Sequence, residues 1–96
     1  MGIDFEWDPN KASRNLRKHG VAFEEAATVF RDDFGVTVPD PDHLTEEERF
    51  ITIGVSNQNR FLIVAHADCR DCIRIISPRE LTPRERKQYE EADWDA

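Results

Sequence analysis

Residues 49–77 read RFITIGVSNQNRFLIVAHADCRDCIRIIS, and this stretch decides the fold. It contains three runs of aliphatic and aromatic residues, each long enough for a β-strand. The runs are Phe50 to Val55, Phe61 to Ala65 and Ile73 to Ser77. Only a few polar residues separate one run from the next, and links that short join antiparallel strands. The stretch therefore predicts an antiparallel meander of three strands.

Two helices are predicted before this meander. The first begins at Asp8-Pro9, because aspartate caps free amides and proline fits the first helical position, and it ends at Gly20. The second covers residues 23–31, where apolar residues recur at helical spacing and two glutamates occupy the first turn.

Three further elements complete the order. Short strands are predicted at Ile3 to Trp7, where apolar and acidic residues alternate, and at Phe34 to Val38. Thr82-Pro83 followed by Glu85 predicts a C-terminal helix with a cap and a capping box. The sequence thus predicts an α+β fold, β-α-α-β-β-β-β-α, in which a small twisted antiparallel sheet carries two N-terminal helices and one C-terminal helix.

The length of 96 residues suits a single domain spanning residues 1–96. The chain has no run of about 18 apolar residues, so no transmembrane helix is expected, and its acidic N-terminus lacks the apolar core of a signal peptide. We therefore expect a cytoplasmic protein with no membrane partner.

The formal net charge of −7 by itself argues against direct binding to nucleic acid. The charge is unevenly distributed, because residues 31–48 hold seven acidic residues and one basic residue, whereas residues 70–87 hold six basic and three acidic residues. Residues 90–96 form an acidic tail. A solvated surface explains this pattern, and so does one basic segment that binds an anionic partner.

Cys69 and Cys72 are the two cysteines, and they lie between two predicted strands. A structural zinc site needs four ligands and no second Cys-x-x-Cys pair is present, while a thioredoxin-like pair would begin a helix. The pair therefore indicates a hairpin tip, and no metal or cofactor is expected. A metal or redox site built on these cysteines and the nearby His66 is the alternative.

Arginines near the ends of the predicted strands form a candidate anion site. If Val55 pairs with Arg60, and His66 with Cys72, the alternation of side chains puts four basic residues on one face of the sheet. They are Arg49, Arg60, His66 and Arg74. An apolar floor on that face would strengthen the grip of guanidinium groups on a phosphate. The alternative is that each arginine pairs with a neighbouring carboxylate.

The order and spacing of several short fragments resemble the BrnT family of ribonuclease toxins from type II toxin–antitoxin systems. The similarity runs from Phe5 to Tyr89. The fragments are Phe5-Glu6-Trp7-Asp8, Lys18-His19-Gly20-Val21, Phe23-Glu24-Glu25-Ala26, Glu47-Glu48-Arg49-Phe50, Ile53-Gly54, Arg60, Arg74-Ile75-Ile76-Ser77, Arg79, and Arg84-Glu85-Arg86 with Tyr89. Pro78 and the cysteine pair depart from the family's usual pattern.

The resemblance implies a RelE-like fold, metal-independent endoribonuclease activity and neutralisation by an antitoxin encoded beside the toxin. Such antitoxins typically carry a ribbon-helix-helix domain. The toxin would then contact its RNA substrate directly and operator DNA only through the antitoxin.

The reaction so implied is attack of the ribose 2′-hydroxyl on the adjacent phosphorus, which needs a base, an acid and cations around the charged phosphorane. We expect Arg60 and Arg74 to bind the phosphate and stabilise the transition state. The residues expected to position the RNA backbone are Lys18, Arg49 and Arg79. The candidates for proton transfer are His19, Glu48 and Tyr89.

The alternative function is a non-catalytic, protein-binding module of a toxin–antitoxin-like repressor complex. The net acidity of the chain and the sparse apolar surface of the C-terminal helix favour this interpretation. Cleavage of labelled RNA in EDTA, or its absence, distinguishes the two functions.

Overall fold

In the computed structural model, which describes residues 3–41 and 48–92, five strands form one sheet in the order β1-β5-β4-β3-β2. The strands are β1 (Asp4–Glu6), β2 (Val36–Pro39), β3 (Arg49–Val55), β4 (Phe61–Cys69) and β5 (Cys72–Glu80). The helices are α1 (Pro9–His19), α2 (Phe23–Thr28) and α3 (Pro83–Glu91), with a 3-10 turn at Val29–Arg31. The predicted α+β class and order of elements are confirmed. Glu47 and residues 93–96 of the acidic tail lie outside the described residues.

The edge strand β1 makes the sheet mixed, whereas the sequence predicted an antiparallel sheet. The pairs β2–β3, β3–β4 and β4–β5 are antiparallel, but β1 runs parallel to β5, so the sheet is mixed. Phe5 of β1 packs its ring 5.4 Å from the ring of Phe30. This contact favours the parallel pairing of β1 with β5. The sequence of a short alternating strand does not by itself indicate the direction in which the strand pairs.

The first helix begins and ends as predicted. The Asp8 carboxylate accepts a hydrogen bond of 2.8 Å from the Asn10 amide, which satisfies a free donor of the first turn. Gly20 ends the helix with a φ of 71°, a left-handed conformation that costs glycine little.

The second predicted helix is divided into α2 and a 3-10 turn. At the division, the Thr28 hydroxyl donates to the Glu25 carbonyl at 2.6 Å and accepts a hydrogen bond from the Asn57 amide at 2.9 Å. A threonine hydroxyl that bonds to the backbone in this way competes with regular helical hydrogen bonds. Apolar spacing alone did not reveal this break.

The main core lies between the sheet and the layer formed by α1, α2 and the 3-10 turn. The sheet face that contributes Leu62, Val64 and Ile75 to it is called the core face here, and all three side chains are buried. Phe23 and Val29 are buried against it from the helix layer. Removal of this much apolar surface from water supplies the principal stabilisation of the fold.

The opposite side of the sheet is called the open face, and its floor is formed by Ile51, Ile63 and Ala65, which are all half-buried. Helix α3 covers one end of it, where the Tyr89 ring packs edge-on to the Phe61 ring at 5.9 Å. None of the described residues of α3 is buried, so the helix lies on the sheet without forming a second full core.

None of the helices in residues 3–41 and 48–92 is both long enough and apolar enough to cross a membrane.

Candidate functional site

A β-bulge determines which side chains lie on the open face. β4 and β5 are in register at Ala65 and Ser77, and again at Ala67 and Arg74, so β5 has one more residue than β4 between these two points. The extra residue shifts the alternation of side chains along β5. Ile75 is therefore buried with the core face, and Arg74 lies on the open face beside Ala67.

Arg49 and Arg74 stand on either side of one small residue. Arg49 pairs with Ala67 on one side, and Ala67 pairs with Arg74 on the other, so the three side chains share the open face. The backbones of Arg49 and Arg74 lie two strand spacings apart, a distance of about 10 Å. Arg74 forms an ion pair of 3.0 Å with Glu6, and both side chains are about half exposed, at 50% and 49%.

A hollow of about 400 Å³ lies further along the open face. Its apolar floor consists of the open-face residues of β3 and β4, and polar groups stand around its rim. The lining residues are Asp40, Pro41, Ile51, Ile63, Ala65, Ser77, Arg79 and Glu85. A smaller hollow of about 230 Å³ adjoins it between the sheet and α3 and is lined in part by Tyr89.

Arg79 is held at the rim by a pair of hydrogen bonds. Its two terminal nitrogens donate to the two oxygens of Glu85 at 2.7 and 2.8 Å. Glu85 also accepts from the Thr82 amide at 2.9 Å in the predicted capping box. The hydrogen bonds from Arg79, followed by that from the Thr82 backbone, lower the pKa of Glu85 to about 2.

Arg60 does not lie on the open face. Its guanidinium makes a two-point contact with the buried carboxylate of Glu25 on α2 and donates a further hydrogen bond of 3.1 Å to the Gly20 carbonyl. The Ser56 hydroxyl donates to the same carboxylate at 2.6 Å. The hydrogen bonds from Arg60 lower the pKa of Glu25, and the hydrogen bond to Glu25 raises the pKa of Arg60.

His66 belongs to the core face. Its Nε2 atom lies 2.7 Å from the hydroxyl of Thr52, which in turn lies 2.7 Å from the hydroxyl of Thr37. The imidazole packs against the rings of Phe30 and Phe50, and burial lowers its pKa. A largely neutral imidazole in the core is a packing residue rather than a cation for binding phosphate.

The prediction that four basic residues share one face is therefore wrong. Arg49 and Arg74 do share a face, but His66 points into the core and Arg60 lies at the β3–β4 turn on the side of α2. The assumed register was in error by one residue in the first hairpin, where Val55 pairs with Phe61. In the second hairpin, Cys72 pairs with Cys69, and the bulge shifts Arg74.

The remaining candidates are distributed around the molecule. Lys18 and His19 occupy the last turn of α1, on the helix layer, next to the Gly20 carbonyl that Arg60 contacts. Glu48 is exposed and directly precedes Arg49. The Tyr89 hydroxyl donates to the Phe34 carbonyl at 2.9 Å, and burial raises its pKa.

Sequence reasoning missed two buried polar residues that organise this arrangement. Glu25 was interpreted only as a first-turn glutamate, although its carboxylate holds Arg60. The amide of Asn15 on α1 donates to the carbonyls of Pro78 at 2.8 Å and Val21 at 3.1 Å, and so connects α1 to β5. Asn15 lies close to Ala12 on the helical wheel, which was an available signal, whereas Glu25 falls opposite the apolar residues of its helix and gave none.

Comparison with known proteins identifies the family to which the chain belongs. The sequence profile of the family described as "Ribonuclease toxin, BrnT, of type II toxin-antitoxin system" matches residues 7–85. The chain belongs to this family. No curated protein sequence matches the chain.

The fold agrees with that assignment to the BrnT family. The 1.1 Å crystal structure of the ribonuclease toxin BrnT from Brucella abortus superposes with a TM-score of 0.62 at 20% sequence identity. The match covers 84% of this chain and 99% of the Brucella chain. At that identity the likeness concerns the fold.

Proposed function

We propose that this BrnT-family chain is a metal-independent endoribonuclease toxin, and that its RNA-binding surface is the open face with Arg49, Arg74 and Arg79. The observation that supports the proposal most directly is the row Arg49-Ala67-Arg74, in which strand register places one arginine on each side of a small, buried alanine. A phosphodiester bound between the two arginines meets a cation on each side.

The setting of Arg74 suits exchange of a carboxylate for a phosphate. Its ion pair with Glu6 joins two half-exposed side chains, and an exposed pair of this kind contributes roughly 0–1 kcal/mol. Displacement of Glu6 by an RNA phosphate therefore costs little. The apolar floor beside the row lowers the local dielectric and strengthens the contacts with a phosphorane that gains negative charge.

We assign Arg74 to stabilisation of the transition state, with Arg49 and Arg79 as positioning residues for the RNA backbone. Arg60 is assigned a structural role instead, because its partner Glu25 is buried and would be left as an uncompensated charge if RNA took the guanidinium. Lys18 stands on the helix layer beside Arg60, where it contacts RNA only if the strand extends around the molecule.

Proton transfer needs a base for the 2′-hydroxyl and an acid for the leaving 5′-oxygen. Glu48 is the favoured base, since it directly precedes Arg49 and is exposed to solvent. Burial raises the pKa of Tyr89, so its hydroxyl keeps its proton at neutral pH. Tyr89 packs on Phe61, however, which lies six residues and about 20 Å along β4 from Ala67, so we assign it no proton transfer at the row. His19, on the opposite layer, is the less favoured candidate.

The partner proposed for this toxin is a small antitoxin with a ribbon-helix-helix domain, through which the complex would contact operator DNA. Family membership supports an antitoxin as partner. We place both proteins in the cytoplasm, where mRNA is available. Co-purification of the chain with the product of the adjacent gene tests this part of the proposal.

Incubation of the purified, antitoxin-free chain with end-labelled RNA in excess EDTA tests the enzymatic proposal. We expect cleavage that leaves 2′,3′-cyclic phosphate ends. Arg74→Ala should reduce the rate on the order of 100-fold or more, by analogy with the loss of one donor to a developing oxyanion. Arg31→Ala, which removes an exposed arginine from the helix layer, is the matched control and should cleave like the wild type.

The competing function is a non-catalytic binding module, which the net charge of −7 favours. A folded wild-type chain that leaves RNA intact under these conditions supports the module. Equal losses in Arg74→Ala and Arg31→Ala would contradict the assignment of the open face.

A further inference from the structure

The tip of the β4–β5 hairpin and the adjoining strand β1 together carry three metal-binding groups, to none of which the proposed function assigns a catalytic role. Cys69 and Cys72 are cross-strand partners with Cα atoms 5.0 Å apart, and their sulfurs form a disulfide. Glu6 belongs to a different strand and a distant part of the sequence. One carboxylate oxygen of Glu6 and both sulfurs nevertheless lie within 4.8 Å of one another.

The backbone, rather than chance contact of surface side chains, brings these groups together. β1 pairs in parallel with β5, with Asp4 opposite Cys72 and Glu6 opposite Arg74. Residues 72 and 74 point to the same face of β5, since they are two apart in a strand. Glu6 therefore shares the open face with both thiol positions, and two ladders of hydrogen bonds fix the register.

We propose that the reduced chain binds one Zn²⁺ ion through the sulfurs of Cys69 and Cys72 and a carboxylate oxygen of Glu6, with water as the fourth ligand. Thiolate and carboxylate groups are common zinc ligands. Tetrahedral zinc with ordinary bond lengths keeps neighbouring ligand atoms about 3.5–3.8 Å apart. Once the disulfide is reduced, rotation of the two cysteine side chains brings the sulfurs to this spacing, and the Glu6 oxygen lies within 4.8 Å of both.

The charge of the site is balanced by a neighbouring cation. Two thiolates and one carboxylate carry three negative charges, and Zn²⁺ neutralises two of them. The guanidinium of Arg74 lies 3.0 Å from Glu6 and offsets the third. Arg74 thus takes part as a neighbour that donates hydrogen bonds to the ligand Glu6, as outer partners of zinc ligands commonly do.

The binding is governed by the redox state of the pair. Two molecules of a thiol such as glutathione supply two electrons and two protons to the disulfide and leave as their own disulfide, which yields two cysteine thiols. Zn²⁺ then displaces the two thiol protons to solvent. The oxidised chain has no thiolate to offer, and only the reduced chain binds the ion.

The site differs from the alternative that the sequence suggested. His66, the histidine nearest in sequence to the cysteines, lies on the core face with its Nε2 atom 2.7 Å from the Thr52 hydroxyl. Glu6, which lies more than sixty positions earlier in the chain, takes its place. The parallel docking of β1 is therefore the feature that creates the third ligand.

Zinc titration of the full chain tests the proposal. The protein is reduced with a phosphine, exchanged into oxygen-free buffer, and titrated with Zn²⁺ against a chromophoric chelator. We expect one ion per chain when reduced and none when oxidised. Substitution of Co²⁺ for Zn²⁺ should give a near-ultraviolet band of thiolate-to-metal charge transfer, which reports sulfur ligation independently of RNA cleavage.

Three variants assign the ligands. Cys69→Ser and Cys72→Ser should each weaken zinc binding on the order of 100-fold or more, since each removes one of three protein ligands. Glu6→Gln should weaken it about 10-fold or more without loss of the charge-transfer band. Glu24→Gln, which changes an exposed glutamate on α2, is the matched control and should bind like the wild type.

Zinc should also protect the amides of β1 from hydrogen exchange, because the ion connects this three-residue strand to the hairpin. The protection is expected in wild type and absent in Glu6→Gln. Failure of the reduced wild type to bind one ion would overturn the proposal. Binding by Glu6→Gln equal to that of wild type, or binding by the oxidised chain, would overturn it as well.

Discussion

The two sides of the sheet both place an arginine against a glutamate, yet the two pairs differ in their surroundings. On the side of α2, Arg60 contacts Glu25, whose side chain is only 2% exposed. On the open face, Arg74 contacts Glu6, and both are about half exposed. A buried carboxylate cannot lose its cation without a large penalty, whereas an exposed one is solvated by water when its partner leaves. The first pair therefore stabilises the fold, and the second is available for binding.

The largest effect on stability is expected from truncation of a side chain on the core face. Leu62→Ala should lower the free energy of unfolding by about 2–5 kcal/mol, because the side chain is fully buried and leaves a cavity. Ile63→Ala on the half-buried open face should cost only about 1–2 kcal/mol. Urea unfolding monitored by circular dichroism measures both. Equal costs would mean that the open face is covered as fully as the core face.

The next largest effect separates the two arginine–glutamate pairs directly. Glu25→Gln should lower the free energy of unfolding by about 2–4 kcal/mol, because it removes the charge that faces the Arg60 guanidinium and one of the two acceptor oxygens that Arg60 and Ser56 share. Glu6→Gln is the matched control and should cost less than about 1 kcal/mol, as expected for an exposed pair. Urea unfolding of the two variants at pH 7 measures the difference. Similar costs for both would refute the contrast drawn here.

A smaller effect concerns pH and His66. Burial lowers the pKa of His66 in the folded chain, so the unfolded chain binds the proton more readily. This contribution to stability is complete above the unfolded pKa of about 6.5 and is lost as the pH falls below that value. We expect the wild type to lose stability between pH 7.5 and pH 5.5.

The variant His66→Gln provides the control for that pH dependence. It removes the titrating group and should flatten the dependence over the same range, whatever its own stability. Chemical unfolding at the two pH values measures the difference. A wild type and a variant with the same slope would show that His66 is not the group responsible.

The smallest effect is expected at the rim of the open face. Glu85→Gln should lower stability at pH 7 by about 0.5–1 kcal/mol, since it weakens a partly exposed pair with Arg79 and one capping contact. The pKa of Glu85 is lowered to about 2, so its contribution is present above about pH 4.5 and is lost as the pH falls towards 2.

Thermal unfolding of Glu85→Gln and of the wild type at pH 7 and at pH 2.5 measures how much of this contribution is lost at the lower pH. The difference between variant and wild type should shrink at the lower pH. A difference that stays constant would mean that the charge of Glu85 contributes nothing to its interaction with Arg79.

Local patterns predicted the helices and strands well because each depends on near neighbours. Asp8, Gly20 and the Thr82–Glu85 capping box act within a few residues of themselves, and all three were confirmed. The direction of β1 and the division of the second helix were missed, because they depend on Phe30 and Asn57, which are distant in the sequence.

The candidate site was only partly predictable for the same reason. Arg74 and Arg79 are five residues apart, so regular alternation would put them on opposite faces, and only the bulge brings both to the open face. Arg60 looked like a phosphate ligand because the carboxylate that holds it lies 35 residues earlier, on α2. Nothing in the sequence around Arg60 indicates that contact.

The order of amino acids was sufficient to identify the kinds and succession of the elements, the family resemblance and the arginines worth attention. These follow from short-range preferences and from spacing, which the chain carries in any conformation. Only packing determined that the buried carboxylate of Glu25 holds Arg60 and that Arg74 reaches the open face. Packing also brought Glu6 to the cysteine pair. Those outcomes depend on strand register and burial, which exist only when distant segments are in contact.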